Sequence, residues 1–195
     1  MHWRLLSEWP LGVTRSVVDA LDAQLDALDA GFDPTTDDSD FFLEEVEHAL
    51  GLGLVAIQRY LRATRETIRE VQESRALVAP SMSHVLQHFG EMVANTSDLR
   101  EMHAVWHLAN FWKHQDEWND DWAQEAAASR QSAVTINGLG QLGIERVGLE
   151  RRTEYPCVHG VGRLTEIERL GPLLERAVAW REACVAAYVG PSASG

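Results

Sequence analysis

Residues 98–118 read DLREMHAVWHLANFWKHQDEW, and this stretch decides the predicted fold. Ten of its 21 positions are apolar, and four polar side chains recur at helical spacing: His103, His107, Asn110 and His114. Residues at i, i+4, i+7 and i+11 lie on one face of an α-helix. The pattern therefore predicts a central, largely buried helix whose one polar face, the polar seam, consists of these four residues.

Amphipathic helices are predicted on both sides of this stretch. With it, the predicted helices span about 15–30, 40–75, 83–94, 98–118, 122–129 and 164–188. Residues 131–163 contain six glycines and one proline, which predicts an irregular segment, although residues 132–142 could form a short helix. Alternating strand patterns are nearly absent. We therefore predict an all-α fold, an up-and-down bundle of four to five main helices, in one domain of residues 1–195.

The composition of the chain limits the classes of function it can have and indicates where in the cell it works. The formal net charge of -13 argues against broad, charge-driven binding to nucleic acid, although a local basic site remains compatible with it. Two cysteines, Cys157 and Cys184, are too few for a disulfide framework in 195 residues. The first residues lack the apolar run of a signal peptide, and no stretch is apolar enough for a membrane span. We therefore expect a cytoplasmic protein with no membrane segment.

The polar seam has a structural and a functional interpretation. An unpaired polar group in a core costs about 1–3 kcal/mol, so seam residues could simply bond to neighbouring helices or to water. They could also form a site that cleaves RNA at its own 2′-hydroxyl. Histidine can give or take the protons near neutral pH, and Arg, Lys or Asn can hold the phosphate. The proton-transfer candidates are His107 and His114.

Further residues of the same stretch complete this hypothesis. Arg100, Asn110 and Lys113 are the candidates for contact with the phosphate, and His103 shares the face of the two histidines. No metal or cofactor is assigned to this predicted site. RNA is accordingly one of the expected partners.

The spacing of Arg100 and His107, with six residues between them, resembles the motif of the HEPN domains. Asn110-Phe111-Trp112-Lys113-His114 is similar to the later part of that motif. HEPN domains are compact helical bundles, common in bacterial toxin–antitoxin and phage-defence systems, and many are metal-independent ribonucleases. The resemblance implies such an activity here. It also implies a homodimer, since the HEPN site usually forms where two copies of the helix face each other.

Two other hypotheses remain open. A metal-binding bundle is suggested by Glu45 and His48, which are three apart, and by His84, His88 and Glu91, which share a helix face. His103 and His107 would complete the ligands for zinc or iron. A non-catalytic protein of the immunity or antitoxin type is suggested by the acidic composition, which suits a basic protein partner. Its interface anchors could be among the seven tryptophans: Trp3, Trp9, Trp112, Trp118 and Trp122 are the candidates.

Overall fold

The computed structural model describes residues 3–118, 121–147 and 151–190. The described helices are α1 (Trp3–Gly31), α2 (Ser39–Ser74), α3 (Met82–His88), α4 (Glu101–His114), α5 (Trp122–Ala128), α6 (Arg130–Gln141), α7 (Pro156–Thr165) and α8 (Gly171–Tyr188). A short 3-10 helix, Gln115–Glu117, extends α4, and a small antiparallel hairpin pairs β1 (Arg146–Val147) with β2 (Arg151–Arg152). The predicted all-α helical bundle is confirmed.

Helix α2 is the long element against which most of the fold packs, and its predicted bounds are nearly those observed. It begins after Asp38, whose carboxylate accepts a hydrogen bond from the backbone N–H of Asp40 at 2.9 Å. Its apolar face contacts α1, α4, α7 and α8. Glycines on this face allow close approach, because a Cβ at Gly51 would lie 2.1 Å from the indole of Trp112.

Helix α4 lies at the centre, as its apolar pattern predicted. Ala104, Val105, Leu108 and Phe111 are fully buried, and α4 packs against α2, α6 and α7. Such burial on several sides explains why only one face of this helix can carry polar groups. Among the described helices, none is both long and apolar enough to cross a bilayer.

The segment before α4 differs from the prediction. The helix predicted over 83–94 ends at His88, because the chain beyond it pairs with the residues that precede α4. The N–H of Val93 donates to the carbonyl of Leu99 at 2.8 Å, and the N–H of Glu101 donates to the carbonyl of Glu91 at 3.0 Å. Because of this pairing, α4 begins at Glu101 and not at the predicted Asp98.

Residues 131–163, predicted as an irregular segment, contain most of α6 and all but the last two residues of α7. Two of the glycines that suggested loops instead allow helices to touch α4. A Cβ at Gly138 would lie 2.2 Å from His107, and a Cβ at Gly160 would lie 2.5 Å from Leu108. The irregular part is therefore confined to the connection between Gln141 and Pro156, which includes the small hairpin.

A buried acid fixes α7 on α2. The carboxylate of Glu47 accepts hydrogen bonds from the backbone N–H groups of Cys157 and Val158, at 2.9 and 2.8 Å. These N–H groups belong to the first turn of α7, which has no partners for them within the helix. Burial raises the pKa of Glu47, although the two hydrogen bonds oppose the shift. Glu47 thus caps the helix that closes one side of α4.

Candidate functional site

The polar seam faces a groove between α4 and α6. Three adjoining clefts of about 420, 410 and 290 Å³ follow one another along it and share lining residues. We call these clefts together the α4–α6 groove. The structure brings all four seam residues to it: His103 and His107 line the first two clefts, Asn110 lines the second and third, and His114 lines the third.

His107 forms the buried part of the groove wall. Its side chain is only 3% exposed, and its ring lies on that of His103 with 4.3 Å between centroids. The absent side chain of Gly138 leaves room for the Cδ2–Nε2 edge of the ring. The other nitrogen, Nδ1, is buried and has no hydrogen-bond partner among the described residues. A buried polar atom without a partner is rare in folded proteins, and a ligand in the groove reaches this one only if the ring or its neighbours shift.

Burial keeps both of these neighbouring imidazoles neutral. Removal from water lowers the pKa of His107 to about 3, and the nearby His103 lowers it further. Burial also lowers the pKa of His103, while the carboxylate of Asp98 acts in the opposite direction. At neutral pH, His107 therefore holds no extra proton to donate and is a very weak base, so its chemistry in the groove is hydrogen bonding.

The middle of the polar seam is tied to α2. Gln58 donates hydrogen bonds through Nε2 to Oδ1 of Asn110 at 2.9 Å and to the carbonyl of Trp106 at 3.2 Å. Gln58 and Asn110 are both buried, so this pair satisfies part of the seam as a structural network. Sequence reasoning missed Gln58, although a glutamine on the apolar face of α2 was a signal that a polar partner lies opposite.

His114 lies at the open, polar end of the groove. Its Nδ1 is 3.1 Å from Oε2 of Glu117, and 43% of its side chain is exposed. Nearby in the same cleft, the hydroxyl of Ser132 donates to Oε1 of Glu125 at 2.8 Å. His114 is therefore a seam histidine that solvent and a bound ligand can reach directly.

Arg100 and Lys113 do not line the three clefts. The guanidinium of Arg100 donates through Nε to the carbonyl of Gln87 at 2.7 Å and through a terminal nitrogen to the carbonyl of Gly90. It thereby ties the chain after α3 to the start of α4. Lys113 is exposed overall. Its pKa is lowered because part of its side chain is removed from water and because Arg62 lies nearby. These two predicted phosphate contacts are thus separate from the four seam residues.

Helix α6, predicted only as a possible short helix over 132–142, supplies the opposite wall, and its residues were not predicted to belong to the site. Arg130, Gln131, Val134 and Thr135 line the middle cleft together with Trp106 of α4. Arg130 is the only cation among the residues that line the three clefts, whereas Asp98, Glu117 and Glu125 contribute carboxylates. The electrostatic character of the groove is therefore neutral to acidic. These residues escaped notice because α6 lay within the segment predicted to be irregular.

The ligand sets of the metal hypothesis do not form. Helix α3 ends at His88, so Glu91 does not continue the face of His84 and His88, whose rings stack at 4.0 Å. His48 lies 2.7 Å through Nδ1 from the carbonyl of Glu44. Over residues 3–118, 121–147 and 151–190, no three His, Cys, Asp or Glu side chains come together as a metal site.

The tryptophans of the binding hypothesis belong partly to the core. Trp122 is buried against Phe111 and Trp118, with ring centroids 5.5 and 5.9 Å apart. Trp112 packs on Gly51 and is partly buried. The side chains of Trp3 and Trp9 lie outside the described part of the chain.

The fold and the groove together define an all-α helical protein with a cleft lined by histidines on one side of its central helix. Comparison with protein-family models gave no match. Comparisons with curated proteins and with solved structures gave no significant match either.

Proposed function

We propose that the protein is a binding protein whose α4–α6 groove accepts a neutral heteroaromatic group, such as a nucleobase. The observation that carries this proposal is the buried, unpartnered Nδ1 of His107 in the wall of the groove. An unmade hydrogen bond in a buried site costs about 1–3 kcal/mol, and a ligand that supplies it recovers that free energy.

The walls of the groove suit a flat ligand. The middle cleft has a volume of about 410 Å³, within the range of about 300–1,000 Å³ usual for small-molecule sites. Trp106 and His103 offer aromatic surfaces, and bases stack on such side chains with little dependence on their identity. Gln131 and Thr135 add polar groups that can bond to the edge of a heterocycle. This combination of apolar walls and few polar groups is typical of ligand sites.

The charge of the groove favours a neutral ligand over a polyanion. Phosphate groups require cations, and Arg130 alone supplies one among the lining residues of the three clefts. Since His103 and His107 both have lowered pKa values, they add no positive charge at neutral pH. A base or nucleoside matches these walls better than a nucleic-acid backbone does.

A metal-independent ribonuclease of the HEPN type, in a toxin–antitoxin or phage-defence system, is the second candidate. Its supporting observation is that all four seam residues share one groove. In this candidate, the accessible His114 beside Glu117 takes the proton of the 2′-hydroxyl, water protonates the leaving 5′-oxygen, and Arg130 contacts the phosphate. A homodimer, which the HEPN resemblance implies, would bring a second set of cations to the site.

Nucleoside binding tests the first proposal. Saturation-transfer NMR with adenosine, guanosine, cytidine and uridine should give stronger signals from base protons than from ribose protons for at least one of them. Val134→Arg, at a 53% exposed position in the groove, should weaken that binding by about fivefold or more. Val13→Arg, at a 51% exposed position on α1, is the matched control and should bind normally. Absence of saturation transfer for all four nucleosides would overturn the proposal.

Cleavage of a mixed RNA pool in EDTA tests the second candidate. Wild-type protein should cleave, and the His107→Ala/His114→Ala double variant should not. Arg130→Gln should also lose activity, because it removes the cation of the groove. RNA left intact by the wild-type protein would eliminate this candidate without affecting the nucleoside experiment.

A further inference from the structure

A second cleft lies at the connection between α1 and α2, and its chemistry differs from that of the α4–α6 groove. This α1–α2 pocket has a volume of about 430 Å³. Its apolar part is formed by Leu28, Phe32, Phe41 and Phe42, with the rings of Phe32 and Phe42 stacked at 4.4 Å. Phe41 is 64% exposed, although it is one of the largest apolar side chains of the chain. An exposed aromatic beside an apolar cleft is a feature of interaction sites.

Carboxylates surround this apolar surface. Asp37, Asp38 and Glu45 line the α1–α2 pocket, and no Lys or Arg of the described residues does. Asp37 accepts a hydrogen bond from the N–H of Asp33 at 2.7 Å, and Asp38 caps α2, so both side chains have fixed positions. Their positions relative to the phenylalanines are therefore set before any partner arrives.

The excess of acid extends beyond the pocket itself. From Ser16 to Gln58, a stretch that includes every lining residue of the pocket, there are eleven Asp and Glu residues and no Lys or Arg. Arg169 from the connection to α8 pairs with Asp26 and Asp29, but it does not line the pocket. The local charge is therefore negative around an apolar centre.

We propose that the α1–α2 pocket docks a segment of another protein that presents one large apolar side chain flanked by Lys or Arg. The apolar side chain would bury Phe41 and fill the cleft, which supplies most of the binding free energy at such sites. The flanking cations would pair with the carboxylates and steer the encounter. An anionic membrane surface or a nucleic acid does not fit, because the carboxylates repel both. This inference is independent of the proposed function of the α4–α6 groove.

Peptide binding tests the proposal. The probes are fluorescein-labelled peptides with two Arg residues on each side of a central Leu, Met, Phe or Trp, and fluorescence anisotropy measures their binding. At least one should bind, and the matching peptide with central Ser should bind about fivefold or more weakly. Equal binding of the Ser peptide would reduce the interaction to charge alone and overturn the proposal, as would absence of binding by all four peptides.

Variants locate the binding surface. Phe41→Ser and Glu45→Gln should each weaken binding, whereas Val78→Ser, at an exposed position between α2 and α3, should leave it unchanged. Val134→Arg in the α4–α6 groove should also leave it unchanged. In a 1H–15N correlation spectrum of the whole protein, the peptide should shift the signals of residues 37–45. Binding that persists in Phe41→Ser, or shifts confined to α4 and α6, would contradict the assignment.

Discussion

Gly138 of α6 lies against the imidazole of His107, so that a Cβ built on the glycine would be 2.2 Å from Cδ2 of the ring. The contact sets the distance between the two helices that form the groove. It also holds the ring in one orientation, because α6 leaves it no space on that side. A single hydrogen atom in place of a side chain thus helps to determine where the unpartnered Nδ1 lies.

Gly138→Ala and Gly140→Ala should change stability in opposite directions. Both glycines lie within α6, where alanine favours the helix by up to about 1 kcal/mol. A Cβ at Gly140 meets no atom within 4 Å, so that variant should be stabilised. A Cβ at Gly138 collides with His107, and overpacking of this kind costs about 1–3 kcal/mol, so that variant should be destabilised. Urea unfolding measures both, and equal stabilisation of the two variants would contradict the contact.

The stability of the fold should fall as the pH decreases through the range set by His107. Its folded pKa is about 3 and its ordinary pKa is 6.5, so the unfolded chain takes up a proton that the folded chain resists. The contribution of neutral His107 to the free energy of unfolding is therefore complete above pH 6.5 and is lost progressively as the pH falls towards 3. Between pH 7 and pH 5, wild-type protein should lose about 2 kcal/mol more than His107→Gln, from about 1.4 kcal/mol per pH unit. Urea unfolding at pH 7 and pH 5 measures the loss in each protein. If wild-type protein and His107→Gln lose the same free energy of unfolding, the lowered pKa of His107 is contradicted.

Glu47→Gln should destabilise the fold through α7. The carboxylate bonds to two backbone N–H groups at once, whereas an amide directs its own N–H groups at one of them. A buried donor left without an acceptor costs about 1–3 kcal/mol. Glu44→Gln, three residues earlier on α2 and exposed, is the matched control and should change stability by less than about 0.5 kcal/mol. Thermal unfolding with equal midpoints for the two variants would refute this capping role.

Arg100→Gln should weaken the fold but leave the groove functional. The guanidinium bonds to the carbonyls of Gln87 and Gly90, and partly exposed hydrogen bonds of this type contribute about 1 kcal/mol. Nucleoside binding by the variant should equal that of the wild-type protein at a temperature where both are folded. A loss of binding or of RNA cleavage with no change in stability would instead assign Arg100 to the site, as the resemblance to HEPN domains implies.

Helix α2 and the buried character of α4 were predictable because their signals are local. Each has an apolar stripe at helical spacing, and an aspartate at the start of α2 supplies its cap. The end of α3 was not predictable in this way, since it depends on hydrogen bonds between Val93 and Leu99, which follow the helix. A sequence window over 83–94 contains no sign of that pairing.

Only the α4 side of the candidate site was predictable from the sequence. Helical spacing placed His103, His107, Asn110 and His114 on one face, and they do line one groove. The helix that covers them was predicted only as a possible short helix over 132–142, which α6 confirms, because Gly138 and Gly140 favour a loop when the sequence is considered locally. In the folded chain, Gly138 instead allows α6 to contact His107, which lies 31 positions earlier. Arg100 lies near the same face by spacing, but the backbone carbonyls of Gln87 in α3 and of Gly90 bind its guanidinium.

Lys113, which is exposed beside Arg62, is also the only lysine among the 195 residues. Amine-reactive dyes and crosslinkers therefore have one side-chain target in the whole protein. Because its lowered pKa leaves a larger share of the amine unprotonated at mildly alkaline pH, acylation there should be faster than at an ordinary lysine. A fluorophore placed on Lys113 would sit on the central helix without occupying the groove. The molecule thus has a natural attachment point for following what its groove binds.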